Sequence, residues 1–324
     1  MESRYKILII TLLLSVFAPL SVSFAFDGPL QVKNQFPLFL HACPPYLEKA
    51  SLEDSFSLTL SHSSTYLVQR SERWTVNLDM EITEVTLRYR KIMGNSLELG
   101  LNIPVIIFSS GFMDGFLEVY HKTFGFPDYG RSKRPLNSFL YEVRRDGILV
   151  VKGENQTGLG DIRLSIKKSL ILSDRFNFSI KGIVELPTGN AERGYGNGSM
   201  DAGFSILFDK AISENIISYW NFGIVFPGRL KGYTTVDLRN FVYGALSVEY
   251  LANKHLGLIA QLEGHSSIYP ETGISAIDGT VFLLSLGGRY YSGNSSFEVS
   301  LTEDLNTTGA PDFILNLSYK IKFH

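Results

Sequence analysis

The sequence predicts an all-β fold: a transmembrane antiparallel β-barrel of about 12 strands with a long, partly helical insertion. Three observations carry this. Segment after segment alternates apolar and polar side chains over about ten residues. That is the period of two a strand requires and the length a tilted strand needs to cross a bilayer. The connections are alternately tight and long, as on the two rims of an outer-membrane barrel. The chain also opens on an export-type leader.

Residues 1–25 read as a signal peptide. Arg4 and Lys6 supply a positive start, residues 7–18 an apolar core, and Ser23 and Ala25 the small residues before a cut ahead of Phe26. Residues 26–54 hold Pro29, Pro37, Pro44 and Pro45, which suit a strand poorly because proline removes a ladder donor. This segment reads as a periplasmic lead-in or as a plug tucked into the lumen. Cys43 is the single cysteine, so no internal disulfide forms and the thiol reads as structurally passive.

The barrel domain is expected over 55–324. In its first strand Phe56, Leu58 and Leu60 alternate with Ser57, Thr59 and Ser61. In the second, Trp74, Val76, Leu78, Met80 and Ile82 alternate with polar residues, and the phase slips near Glu84-Val85, as at a β-bulge. Further strands are expected over 95–108, 158–171, 176–186, 199–212, 215–227, 236–252, 255–269, 279–291, 294–304 and 312–323. In the last, Phe313, Leu315, Leu317, Tyr319, Ile321 and Phe323 share one face, with Ile314 the apolar exception on the other. Strand parity then requires 109–157 to begin and end on the outer side. That insertion carries a hairpin signal, Asp146-Gly147, and a helical pattern over 111–124.

Several of these patterns resemble those of an uncharacterised family of bacterial outer-membrane-type proteins of unknown function. They are Lys33-Asn34-Gln35-Phe36-Pro37, Gly111-Phe112-Met113-Asp114-Gly115-Phe116, Gly158-Leu159-Gly160-Asp161, Leu186-Pro187-Thr188-Gly189, Gly196-Asn197-Gly198-Ser199 and Glu303-Asp304-Leu305. The glycine-rich and Pro-Thr-Gly patterns are also similar to those of barrels linked to uptake of small aromatic or fatty compounds. The resemblance implies a barrel and no established activity.

Thirty Lys and Arg against 32 Asp and Glu leave a net charge of −2, which excludes the basic excess of a nucleic-acid binder. No nucleotide-binding glycine loop, zinc cysteine pair or EF-hand is present, so no cofactor is expected. Alternation assigns Glu81, Arg88, Arg90, Glu98, Asp161, Arg163, Lys167, Lys181, Glu185, Glu249, Glu263, Arg289, Glu298, Lys320 and Lys322 to the lumen. Charges of both signs line a passage or bridge across it. Phe112, Phe116, Tyr120 and Phe124 recur at helical spacing and suit a gate, with Asp114, Glu118 and His121 on one polar face. His62 and Ser64 share the lipid-side face of their strand, the spacing of a base and a hydroxyl in a membrane hydrolase.

The function expected is a narrow outer-membrane channel or uptake protein for small molecules, apolar ones among them. The competing readings are a lipid-modifying hydrolase using His62 and Ser64 and a purely structural filled barrel. Expected partners are outer-membrane lipids, the unidentified solute, and the barrel-assembly machinery, through a last strand that ends on Phe323.

Overall fold

A computed structural model describes residues 26–115, 119, 122, 123, 125, 134–306 and 308–323. Among these, twelve strands close an antiparallel barrel. In chain order they are β1 (Ser55–Arg70), β2 (Trp74–Met93), β3 (Leu97–Ser109), β7 (Ile162–Ile171), β8 (Phe176–Leu186) and β9 (Asp201–Ser213), then β10 (Ile216–Phe226), β13 (Phe241–Asn253), β14 (Leu256–His265), β15 (Val281–Ser292), β16 (Ser295–Asp304) and β17 (Phe313–Lys322). Each pairs with the next, and β17 closes onto β1 with Lys322 opposite Ser55 and Phe313 opposite Ser64. Closure leaves these strands without a free edge over that span, the condition for backbone to cross hydrocarbon.

The short turns, such as 94–96, 214–215 and 293–294, lie at one rim, here the lower one. The long loops lie at the upper rim. The outward face carries an apolar belt. Phe56, Leu58 and Leu60 on β1, Phe297, Val299 and Leu301 on β16, and Phe282, Leu286 and Tyr290 on β15 are all exposed. The inward positions of β1 are Ser55, Ser57, Thr59, Ser61 and Ser63, all buried. This apolar-out, polar-in order is the inverse of a soluble barrel and matches a lipid-facing wall.

The upper half departs from that order. On β2, Trp74, Val76, Leu78, Met80 and Ile82 are no more than 2% exposed, and they share the inward parity of Arg88 and Arg90. The ladders of β2 with β1 and β3 run through Glu84-Val85 without a register shift, so the β-bulge read from the sequence is absent. The alternation changes face for a different reason. Below residue 82 in height the wall is oily outside and polar inside; above it the wall surrounds an apolar core.

Beyond its pairing with β3, the upper end of β2 pairs with β4 (Leu140–Arg145), which forms a hairpin with β5 (Ile148–Lys152). Asp146 and Gly147 both take positive φ at that turn, 52° and 77°, as a two-residue turn between twisted strands requires. β6 (Thr157–Leu159) pairs with β3, and β11 (Leu230–Lys231) pairs with β12 (Thr235–Val236) in an upper loop. The continuous elements formed by the described residues of 109–157 are strands. Asp114, Gly115, Val119, Lys122 and Thr123 have helical backbone, but six of the residues 111–124 lie outside the described residues, and the helical part expected of this insertion is not supported as an element.

Candidate functional site

The lumen is occupied by the chain's own residues 26–54. Phe26 packs on Ile217 and Tyr219, and Asp27 pairs with Lys320 and Lys322, near the lower rim. The segment then climbs: the Leu30 amide donates to Gln261 and the Gln31 amide to Glu298. At the upper end it turns over through Phe36, Leu38 and a 3-10 turn, Phe39–His41. It descends past Tyr46 and Glu48 to Asp54, whose carbonyl accepts from the Phe323 amide back at the lower rim. Two limbs thus run the height of the barrel. Four prolines and a lack of alternation keep the segment from adding to the sheet, so side chains rather than ladder bonds hold it in place.

The apex is held by packing. Phe36, Leu38, Phe39 and Leu40 join Trp74, Tyr141, Val143, Val150, Leu230, Val236 and Ile274 in one buried cluster. Phe39 stacks on His265 with ring centroids 3.9 Å apart. The Asn34 side-chain amide reaches the Nε2 of His265 at 3.0 Å. His41 is hydrogen-bonded to Tyr269 at 2.7 Å and to Tyr141 at 3.2 Å. Each such buried apolar side chain contributes about 1.5–3 kcal/mol.

Burial pulls the His41 pKa down to about 3, so the ring is neutral at pH 7. The unfolded ring titrates near 6.5, which means that the unseated state takes up protons first. The stability His41 contributes is whole above that value and falls by about 3 kcal/mol near pH 4. In a Trp220→Phe background, Trp74 is the remaining tryptophan, and it packs edge-on against Tyr269. Its emission is expected to shift red as pH falls from about 6.5 to 4, and His41→Asn is expected to reduce that shift, the remainder coming from His265, which stacks on Phe39 in the same apex. A pH-independent spectrum would show that the apex is already solvated.

The lower half is polar. Glu48 accepts from Arg90 at 2.7 Å and from Lys181 at 2.8 Å. Lys33 on the ascending limb and Tyr46 on the descending limb meet on Glu84, at 2.9 and 3.1 Å. Arg88 lies 4.3 Å over the Tyr46 ring and donates to Gln31. Arg289 lies between Glu298 at 2.5 Å and Glu249 at 3.2 Å, and also donates to the carbonyls of Gly28 and Pro29. Asp27, Glu48, Glu53, Arg88, Arg90 and Lys320 border a cavity of about 20 Å³, room for one water. At this level the described side chains fill the lumen.

Of the residues assigned to the lumen from sequence, Arg88, Arg90, Glu98, Asp161, Arg163, Lys167, Lys181, Glu185, Glu249, Glu263, Arg289, Glu298, Lys320 and Lys322 are inward and buried or nearly so. Glu81 is not among them. It pairs across from Ser64 on the outward parity, bonds His62 at 2.9 Å and accepts from the amides of Phe112 and Met113. The misassignment has the same origin as the absent bulge, the exchange of faces along β2.

Phe112 is 74% exposed and stacks on His62 outside the barrel, at 5.2 Å, so it does not stand over the lumen. Phe116, Tyr120 and Phe124 lie outside the described residues, as do Glu118 and His121. Asp114 accepts from the Asn137 amide at 2.6 Å. Both ring nitrogens of His62 are engaged, by Glu81 and by Thr83, so His62 is not aimed at the Ser64 hydroxyl. Among the described residues no three His, Cys, Asp or Glu side chains are placed to hold a metal ion.

The sequence profile of a family described as a protein of unknown function, DUF3187, matches residues 6–323. The chain belongs to the DUF3187 family. No curated protein matches it. Among solved structures, the COG4313 outer membrane channel from Pseudomonas putida F1 is similar to this DUF3187 chain with a TM-score of 0.57 at 13% identity, covering 94% of this chain and 100% of its own. The NanC porin follows at a TM-score of 0.47, 8% identity, and coverage of 83% and 99%. The CymD monoaromatic hydrocarbon channel follows at 0.43, 12% identity, and coverage of 94% and 99%. At these identities the likeness is one of fold. In this DUF3187 chain Asn34, His41, Tyr46 and Glu48, for which the sequence carries no periodic signal, are among the residues that bind the inner segment to the wall.

Proposed function

We propose that this protein is exported by its leader to a bacterial outer membrane and acts there as a narrow channel for small molecules, shut by residues 26–54. The observation that carries the reading is the way the lumen is filled. In its lower half the segment is held by side-chain ion pairs and hydrogen bonds rather than by sheet pairing. A barrel filled for stability alone gains more from apolar packing, since the desolvation of buried charges consumes most of their attraction. Polar walls are what a passage needs once its plug leaves. They also favour a polar solute over an apolar one, because the lower wall offers no continuous apolar path.

The test is single-channel conductance in planar bilayers. The mature protein is expected to be mostly silent. A variant lacking 28–50, refolded to a heat-modifiable barrel, is expected to conduct in long openings. Silence of that inserted variant would instead favour a structural barrel.

A further inference from the structure

The cations of the lower lumen fall into two groups. Arg289 is compensated by the wall itself, through Glu249 and Glu298. Arg90 and Lys167 have one wall carboxylate within ion-pair distance, Glu98, at 3.9 Å and 3.0 Å, while Lys181 pairs with Glu48 of the inner segment, and the nearby wall acid Asp209 accepts from the Ala50 and Ser51 amides. Lys320 and Lys322 face Asp27 and Glu53, and these acids belong to the inner segment. The wall residues in register with Lys320 are Ser57 and Ser296, which bring no charge. The inner segment therefore supplies the anions that one side of the wall lacks. A wall left with unpaired buried cations is strongly disfavoured unless water or a ligand replaces the lost partner.

Glu48 is seated as a ligand would be. Its carboxylate meets Arg90 and Lys181, with Lys167 at 3.9 Å. Its backbone amide donates to the Asn221 side-chain oxygen at 2.9 Å, and its carbonyl accepts from the Asn221 side-chain nitrogen at 3.0 Å. We infer that Arg90, Lys167 and Lys181 form a binding site for the carboxylate of a small organic anion, and that Glu48 occupies it as a stand-in that keeps the lumen shut. The inference rests on the channel reading and names its solute class: carboxylates with one or more negative charges, led toward the site by Lys320 and Lys322.

The experiment uses the full mature chain carrying Glu48→Gln, with Asp27→Asn as a second variant in case the first does not fold. Two readouts are taken. In detergent, succinate is expected to bind Glu48→Gln at least about tenfold more tightly than the unaltered protein, whose own carboxylate competes. In bilayers under a potassium chloride gradient, Glu48→Gln is expected to open more often, to favour chloride, and to be blocked by succinate. Adding Lys181→Met is expected to weaken both binding and block. Succinate binding with no current keeps the site and sinks the channel. Current without anion preference, together with no succinate binding, keeps the channel and overturns the site. Binding of phosphate as tight as that of succinate would overturn the carboxylate assignment in favour of a general oxyanion site.

Discussion

Arg289→Met is expected to destabilise the barrel by about 3–5 kcal/mol, the cost of leaving a buried ion pair with one partner. Arg289 is 1% exposed and sits between two carboxylates that are buried in their own right. Glu249 has further partners in Tyr219 and Tyr291, and Glu298 accepts from the Gln31 amide, so neither side chain can swing to water without breaking other bonds. Loss of the guanidinium also frees the Gly28 and Pro29 carbonyls, loosening the point where the inner segment enters. The measurement is the urea midpoint of the folded barrel in lipid. The triple variant Arg289→Met, Glu249→Gln, Glu298→Gln should recover much of the loss, because it removes the stranded charges rather than one side of the pair. A change below about 1 kcal/mol for Arg289→Met would mean that water reaches these carboxylates, and the picture of a filled lumen would fail with it.

The wall was legible because it obeys a local rule. Alternation along β16, β17 and the lower half of β2 reports directly which face meets lipid, and the register needs nothing more. Ile314 could be seen to break that rule, and its inward side chain packs with Leu30, Val32 and Ile259. The upper half of β2 was misread because its pattern is equally regular but belongs to a different environment. Trp74 to Ile82 are apolar inward because the apex of the inner segment is apolar, and that apex lies about 40 residues earlier in the chain. No local period contains that information. The helix expected after Gly111 is not supported: Phe116, Tyr120 and Phe124, three of the four aromatics that carry its spacing, lie outside the described residues. The inner segment was legible only as a non-strand. Its prolines exclude the ladder, but the partners of Glu48 lie on β2, β7 and β8, and pairings between a loop and three distant strands leave no periodic trace.

Tyr46→Ala is expected to unseat the inner segment more than any other single truncation on it. The Tyr46 ring is 5% exposed and packs beneath the Arg88 guanidinium, while its hydroxyl donates to Glu84 and lies 3.2 Å from the Thr86 hydroxyl. Glu84 also holds Lys33, so one wall carboxylate ties the ascending limb to the descending one. Tyr46→Phe keeps the ring and the cation–π contact and should cost about 1 kcal/mol, the worth of a hydrogen bond. Tyr46→Ala removes both and leaves a cavity, at about 3–5 kcal/mol. If that energy stands between a seated and an unseated segment, the open fraction rises by roughly a hundredfold or more in Tyr46→Ala and by less than about tenfold in Tyr46→Phe. A lipid-side truncation of similar size, Leu58→Ala, should leave the open fraction near that of the unaltered channel, because Leu58 projects outward from β1. Equal effects of Tyr46→Ala and Leu58→Ala on conductance would show that opening proceeds by loosening of the barrel as a whole. The graded series separates that outcome from displacement of the segment, since only displacement depends on which face of the wall the side chain meets.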